Sequence, residues 1–172
     1  MRPRAVEAGD QTMSLSLENV IEQGLQRYPW AARIPAEARA LAVTDADIKA
    51  AWELYVELIT RVATQPLDDE DGVEAAALES VYSLFGLVRE IMRQSGPDAA
   101  AFSALALALF NYRVRPFTAA WHRPSADGRL DDPAIAGRFR DELRELQRDL
   151  RAAADALADL AEVPPLCDFT AP

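Results

Sequence analysis

One long apolar stretch constrains this chain more than any other feature. Residues 99–123 read AAAFSALALALFNYRVRPFTAAWHR, and the first twelve of them are apolar except for Ser103. A helix that is apolar on every side has to be buried, so the other helices are expected to pack around it. Asp98, just before this stretch, is predicted to cap the helix. The sequence therefore predicts an all-α protein with this helix at its centre.

The second half of the same stretch carries a row of polar side chains. The residues of the row follow helical spacing, with Asn111, Arg115, Thr118 and His122 at i, i+4, i+7 and i+11, and His122 is the only histidine of the chain. Pro116 removes an amide from the helix, so a kink or break is expected at Arg115, and the helix is expected to end near residue 123. We call the following set the polar stripe: Asn111, Arg113, Arg115, Thr118, His122 and Arg123.

Start and stop signals define the remaining helices. Ser14 or Ser16 is predicted to cap a short amphipathic helix over 17–27, and Thr44 with Asp47 to open a helix over 44–65. A helix over 73–94 should end at Gly96, and Asp132 should start one that runs to about residue 162. The buried face of the 44–65 helix is predicted to contain Ile48, Trp52, Tyr55, Leu58, Ile59 and Val62. Trp30 is expected to pack over the end of the core.

The last helix carries an a/d seam that alternates spacings of four and three. Its members are Phe139, Leu143, Leu146, Leu150, Ala153, Leu157 and Leu160. Two interpretations are open, since such a seam packs either antiparallel into its own bundle or against a second copy in a homodimer. The fold class that follows is all-α, an up-and-down bundle of four main helices plus a short N-terminal helix. Residues 1–13 are predicted to be disordered, 14–163 to form one domain, and 164–172 to form a tail.

Composition limits the chemistry. One Cys167 and one histidine provide neither a disulfide nor a four-ligand zinc site, and no metal or other cofactor is expected. No apolar run is long enough to span a bilayer, so a cytoplasmic protein is expected. The net charge of −10 opposes non-specific nucleic-acid binding and suits a basic protein partner, although three arginines of the polar stripe form a local basic cluster.

Arg115 and His122 form the one catalytic lead. Their Arg-x6-His spacing resembles the motif of the HEPN superfamily, helical bundles of which many cut RNA without a metal as dimers. A histidine moves protons near neutral pH and an arginine holds phosphate, so the pair suits that chemistry. The structural alternative is that Arg115, Asn111 and His122 tie the interrupted helix to carbonyls and carboxylates of its neighbours. Glu57 and Glu90 are then candidate partners of the arginine, and Arg115→Ala should destabilise the fold.

A wider similarity covers residues 48–123. Segments 52–67 (WELYVELITRVATQPL), 80–91 (SVYSLFGLVREI) and 111–122 (NYRVRPFTAAWH) resemble an uncharacterised group of bacterial helical proteins loosely linked to conflict systems. The resemblance implies a bacterial helical module and no particular activity. The predicted function is a non-enzymatic interaction or regulatory module of a bacterial cytoplasmic system, such as a defence or conflict system, that binds a protein partner or a second copy. The alternative is a HEPN-like, metal-independent ribonuclease that acts as a homodimer through Arg115 and His122.

Overall fold

The helices of this protein form an all-α bundle. The computed structural model describes residues 15–26, 28–61, 64–67 and 72–166, and these contain no strand beyond a single bridge between Ser16 and Ala42. The helices of the described residues are α1 Leu17–Val20, α2 Ala36–Arg39, α3 Asp45–Thr60, α4 Glu74–Ser95, α5 Ala100–Leu109, α6 Arg115–Ala126 and α7 Pro133–Leu160. The all-α fold class is confirmed.

Contacts between sequence-distant residues show how the main helices run. The backbone amide of Leu166 donates to the Tyr55 hydroxyl at 2.6 Å, whereas Arg151 donates to the carbonyl of Thr64 at 3.1 Å. The chain numbers rise along α3 while they fall along the facing α7, so these helices are antiparallel. Helix α4 and the central helix are also antiparallel, because Tyr82 contacts Thr118 while Phe85 contacts residue 110. The four main helices are α3, α4, the continuous pair α5–α6, and α7.

The N-terminal helix is shorter than predicted. Ser16 caps α1 in a capping box with Asn19, and α1 gives way after Val20 to a π turn over Ile21–Leu25. Its apolar residues are fully buried, so it completes the core as well as covering it. Residue 27 and the predicted disordered residues 1–13 lie outside the described residues.

Helix α3 begins as predicted but presents a different face to the core. Thr44 and Asp47 form the expected capping box, and the helix ends at Thr60 instead of residue 65 because Arg61 adopts an extended conformation. The predicted buried face was wrong for Trp52, which is 40% exposed, and Ile48 and Ile59 are only half-buried. The face that packs inward consists of Asp47, Ala50, Ala51, Leu54, Tyr55 and Leu58. Its two alanines let the neighbouring helices approach closely. Val62 lies outside the described residues.

The central helix is continuous through its proline. A π turn over Phe110–Val114 joins α5 to α6, and the amide of Arg115 bonds the carbonyl of Phe110. The helix does not break at Arg115; the irregularity predicted there takes the form of this π turn, whose wider winding accommodates Pro116. Helix α6 also continues past Pro124 to Ala126, three residues beyond the predicted end. Burial of α5 is not complete, since Leu107 is 45% exposed.

The seam of α7 packs inside its own bundle. Every seam residue from Phe139 to Leu160 is at most 1% exposed, which confirms the intramolecular interpretation. A homodimer through this seam is therefore excluded, because the surface it would need already forms the core. Asp132 caps α7 and Gly96 ends α4 with a φ of 69°, both as predicted.

Candidate functional site

The polar stripe divides into two groups with different surroundings. Arg113 and Thr118 are at least half-buried and bond to neighbouring helices, while Asn111, Arg115, His122 and Arg123 are exposed. The π turn contributes to this division, because it shifts the helical register between α5 and α6. Only the exposed group is available to a ligand.

Arg113 connects the central helix to α7 through an ion pair. Its guanidinium forms an ion pair with Asp149 of α7, whose other carboxylate oxygen accepts a hydrogen bond from Trp30 Nε1 at 3.1 Å. Trp30 is 1% exposed and Asp149 is 7% exposed, so the carboxylate ties two groups together in a mostly dry environment. Trp30 packs against the core as predicted and also has this polar partner.

Thr118 is also structural. Its hydroxyl donates within the helix to the carbonyls of Val114 and Arg115, each at 3.1 Å. The Tyr82 hydroxyl of α4 donates to the carbonyl of Thr118 at 3.0 Å. The Tyr82 bond joins α4 to α6, and the two hydroxyl bonds reinforce the central helix beside Pro116, where a backbone hydrogen bond is missing.

Arg115 is free of carboxylates among the described residues. Its Nε donates to the side chain of Asn111 at 3.3 Å, and its guanidinium lies 5.8 Å from the centre of the Phe85 ring. The two predicted partners are engaged elsewhere, since Glu57 pairs with Arg61 at 2.6 Å and Glu90 pairs with Arg93. The structural interpretation of Arg115 as a buried tie was therefore wrong.

His122 lies on the same side of α6 as Arg115. Its ring packs edge-on against Tyr82, with centroids 6.1 Å apart, and Arg123 beside it is 90% exposed with Asp127 at 3.9 Å. His122 lies seven positions after Arg115, and this separation corresponds to about 10 Å along the helix axis. Because Arg115 bonds Asn111, one turn towards the N-terminus, its guanidinium extends away from the imidazole. One chain thus presents two separate polar groups along the line between α4 and α6.

Two of the shifted pKa values belong to aspartates of α7. Burial raises the pKa of Asp155, and the nearby charge of Asp159 raises it further. Burial also raises the pKa of Asp159. On the same helix, burial lowers the pKa of Arg151, with a further lowering from Arg148. These groups affect stability as a function of pH and do not belong to the polar stripe.

An apolar groove between α3 and α4 was not foreseen from the sequence. Its volume is about 290 Å³, and it contains the exposed Trp52 that was expected in the core. The other lining residues are Glu53, Val56, Glu57, Leu87 and Ile91. An apolar ring with carboxylates beside it is a surface that a basic, apolar segment complements. We call it the Trp52 groove.

Comparison of the chain with protein-family models, curated proteins and solved structures finds no match. In the part of the chain that the structure describes, no group of three or more His, Cys, Asp and Glu residues is placed to bind a metal ion. The same residues include no helix that is both long and apolar enough to cross a membrane. Cys167 lies outside the described residues.

Proposed function

We propose that this chain is a non-enzymatic interaction or regulatory module of a bacterial cytoplasmic system, such as a defence system. Its partner is a basic protein that inserts apolar side chains into the Trp52 groove. The observation that carries the proposal is the exposure of Trp52 in a protein that buries its other two tryptophans almost completely. Leaving this ring in water forgoes about 2 kcal/mol of burial, which binding would recover.

The surroundings of Trp52 support a basic partner. Glu53 and Glu57 line the groove, with Glu57 already paired to Arg61 at 2.6 Å, and the protein as a whole carries a charge of −10. Lys49 is only 4.0 Å from Glu53 and is largely exposed, so it screens that carboxylate weakly. Val56 and Leu87 provide apolar contact beside the ring. A helix with apolar and basic residues on one face meets both requirements.

Affinity capture from the native host tests this function. The wild-type chain should recover a stoichiometric basic protein, and calorimetry with that purified protein should show binding at least about tenfold weaker for Trp52→Ala. Val73→Ala is the matched control, because Val73 is exposed by 58% and lies outside the groove. A chain that recovers no stoichiometric partner, or a Trp52→Ala variant that binds as wild type does, would contradict the proposal.

The second candidate is a HEPN-like ribonuclease that needs no metal. It is favoured by the exposure of Arg115 and His122 on one side of α6 without carboxylate partners among the described residues. His122 would move a proton and Arg115 would hold a phosphate oxygen. Since the two groups diverge within one chain, a second copy would have to complete the site. The exposed Ala119 and Ala120 between them are small enough to allow its close approach.

Cleavage of single-stranded RNA in the presence of EDTA separates the two candidates. The interaction module should show no cleavage. The ribonuclease should cleave, lose cleavage in both His122→Ala and Arg115→Ala, and keep it in Arg123→Ala, a neighbouring exposed residue. EDTA-resistant cleavage that disappears in a stably folded His122→Ala variant would refute the interaction module in favour of the ribonuclease.

A further inference from the structure

A second groove, formed by other elements than the Trp52 groove, runs along α5. Its volume is about 310 Å³, and Leu107 beside it is 45% exposed, although it belongs to the most apolar helix of the chain. The apolar lining comes from the segment around α2 on one side and from α5 on the other: Ile34, Pro35, Ala38, Ala104, Leu107 and Ala108. We call this surface the α5 groove.

Charge distinguishes the α5 groove from its neighbours. No carboxylate of the described residues lines it, whereas Glu53 and Glu57 line the Trp52 groove. The charged residue in its lining is Arg33, whose guanidinium lies 5.5 Å from the centre of the Tyr112 ring. Within the described residues Arg33 has no carboxylate within 4 Å, in a protein that carries ten more negative than positive charges. A cation left uncompensated beside an apolar groove fits an acidic, apolar partner.

The geometry of α5 favours a helix as that partner. Ala104, Leu107, Ala108 and Asn111 follow the i, i+3, i+4, i+7 spacing of one helical face. Leu107 forms a ridge, and Ala104 and Ala108 leave a notch beside it. A ridge next to a notch is a surface into which the side chains of a second helix pack. Asn111 and Arg33 provide polar groups at the end of the apolar row.

We propose that the α5 groove binds an amphipathic helix of a partner protein, with leucine-like side chains flanked by carboxylates. A second copy of this chain fits less well, because two copies related by a twofold axis would present the same acid-free, Arg33-bearing surface to each other. With the Trp52 groove, the protein would have two docking surfaces of opposite charge preference. It would thereby bring an acidic and a basic helix to one module.

Two synthetic helical peptides test this proposal. Each is about 18 residues long, long enough to be helical in isolation, with leucines at i, i+3, i+4 and i+7. One has glutamates beside the leucines and the other has lysines. Fluorescence anisotropy with the full chain should show binding of the glutamate peptide that weakens at least about tenfold in Leu107→Asp. Val73→Asp, at an exposed apolar residue outside both grooves, should leave this binding unchanged.

Charge reversal gives the sharper result. Arg33→Glu should weaken the glutamate peptide and strengthen the lysine peptide, while Arg89→Glu, at an exposed cation outside both grooves, should change neither. Circular dichroism checks that each variant is folded. Absence of glutamate-peptide binding, or unchanged binding of that peptide by Leu107→Asp or by Arg33→Glu, would each overturn the proposal. Sedimentation that shows a dimer lost in Leu107→Asp would also overturn it, by identifying a second copy as the occupant.

Discussion

Asp47→Ala should be among the most destabilising single changes in this protein. Asp47 is 1% exposed, and its carboxylate joins the starts of two helices. One oxygen accepts from the backbone amide and the hydroxyl of Thr44, at 3.0 and 2.9 Å, at the start of α3. The other oxygen accepts from the backbone amide of Phe102 at 2.8 Å, in the first turn of α5. The negative charge thus lies at the positive ends of both helix dipoles.

The loss of free energy of unfolding can be estimated from the hydrogen bonds that the donors to Asp47 lose. The amide of Phe102 is buried, and an unpaired buried donor costs about 1–3 kcal/mol. Thr44 is exposed, so water replaces its lost partner and the cost is that of a capping residue, about 1 kcal/mol. The sum is about 3 kcal/mol, which for a protein of this length lowers Tm by about 6–12 °C. Asp47→Asn keeps one acceptor oxygen and should lose about half as much free energy.

Urea denaturation followed by far-ultraviolet circular dichroism measures the effect. Asp45→Ala is the control, because Asp45 lies in the same turn, is exposed and affects only the helix dipole, at a cost of about 0.5 kcal/mol. If Asp47→Ala lost no more free energy of unfolding than Asp45→Ala, the carboxylate would not connect the two helices and the reasoning would fail.

The same denaturation assay checks three further expectations. Arg115→Ala and His122→Ala should each lower the free energy of unfolding by less than about 1 kcal/mol, because both side chains are exposed; a loss of 3 kcal/mol would restore Arg115 as a structural tie. Asp149→Ala should cost about 2–3 kcal/mol, since it leaves a buried indole N–H and an unpaired guanidinium; a neutral result would contradict that network. Asp155→Asn should stabilise the protein at pH 7, because the pKa of Asp155 is raised by burial and by Asp159, so that ionisation opposes folding. This gain should fade as the pH falls through the raised pKa and vanish below about pH 3, where Asp155 is protonated in both states; a gain that persisted below pH 3 would exclude ionisation as its cause.

Local patterns in the sequence were sufficient for the main helices and for the three ends that carry a strong local signal. The capping box of Thr44 and Asp47, the glycine at 96 and the Asp132 cap all lie where the residue types predict them. These signals involve residues within one turn of each other, so their energies are nearly independent of the rest of the fold. The seven residues of the α7 seam were also predicted from their spacing. That pattern alone did not decide whether the seam packs into its own bundle or against a second copy.

Tertiary structure decided which side of each helix is buried and which polar groups are free. The sequence predicted Asp98 as the cap of α5, yet Ala99 occupies the capping position. The backbone amide of Phe102 instead donates a hydrogen bond to the carboxylate of Asp47 in α3. The sequence cannot reveal such a partner because it comes from 55 residues away.

The same limit explains the errors at Trp52 and Arg115. Periodicity assigned the large ring to the core, but the alanine face of α3 packs closer to its neighbours and leaves Trp52 in solvent. The π turn accommodates Pro116 and leaves Arg115 exposed, free of the carboxylates expected to hold it. The sequence by itself determined an all-α chain, some of its helix ends and its core seam. Only the packing of distant helices decided where the grooves and the exposed cations lie, because those depend on contacts that no local pattern encodes.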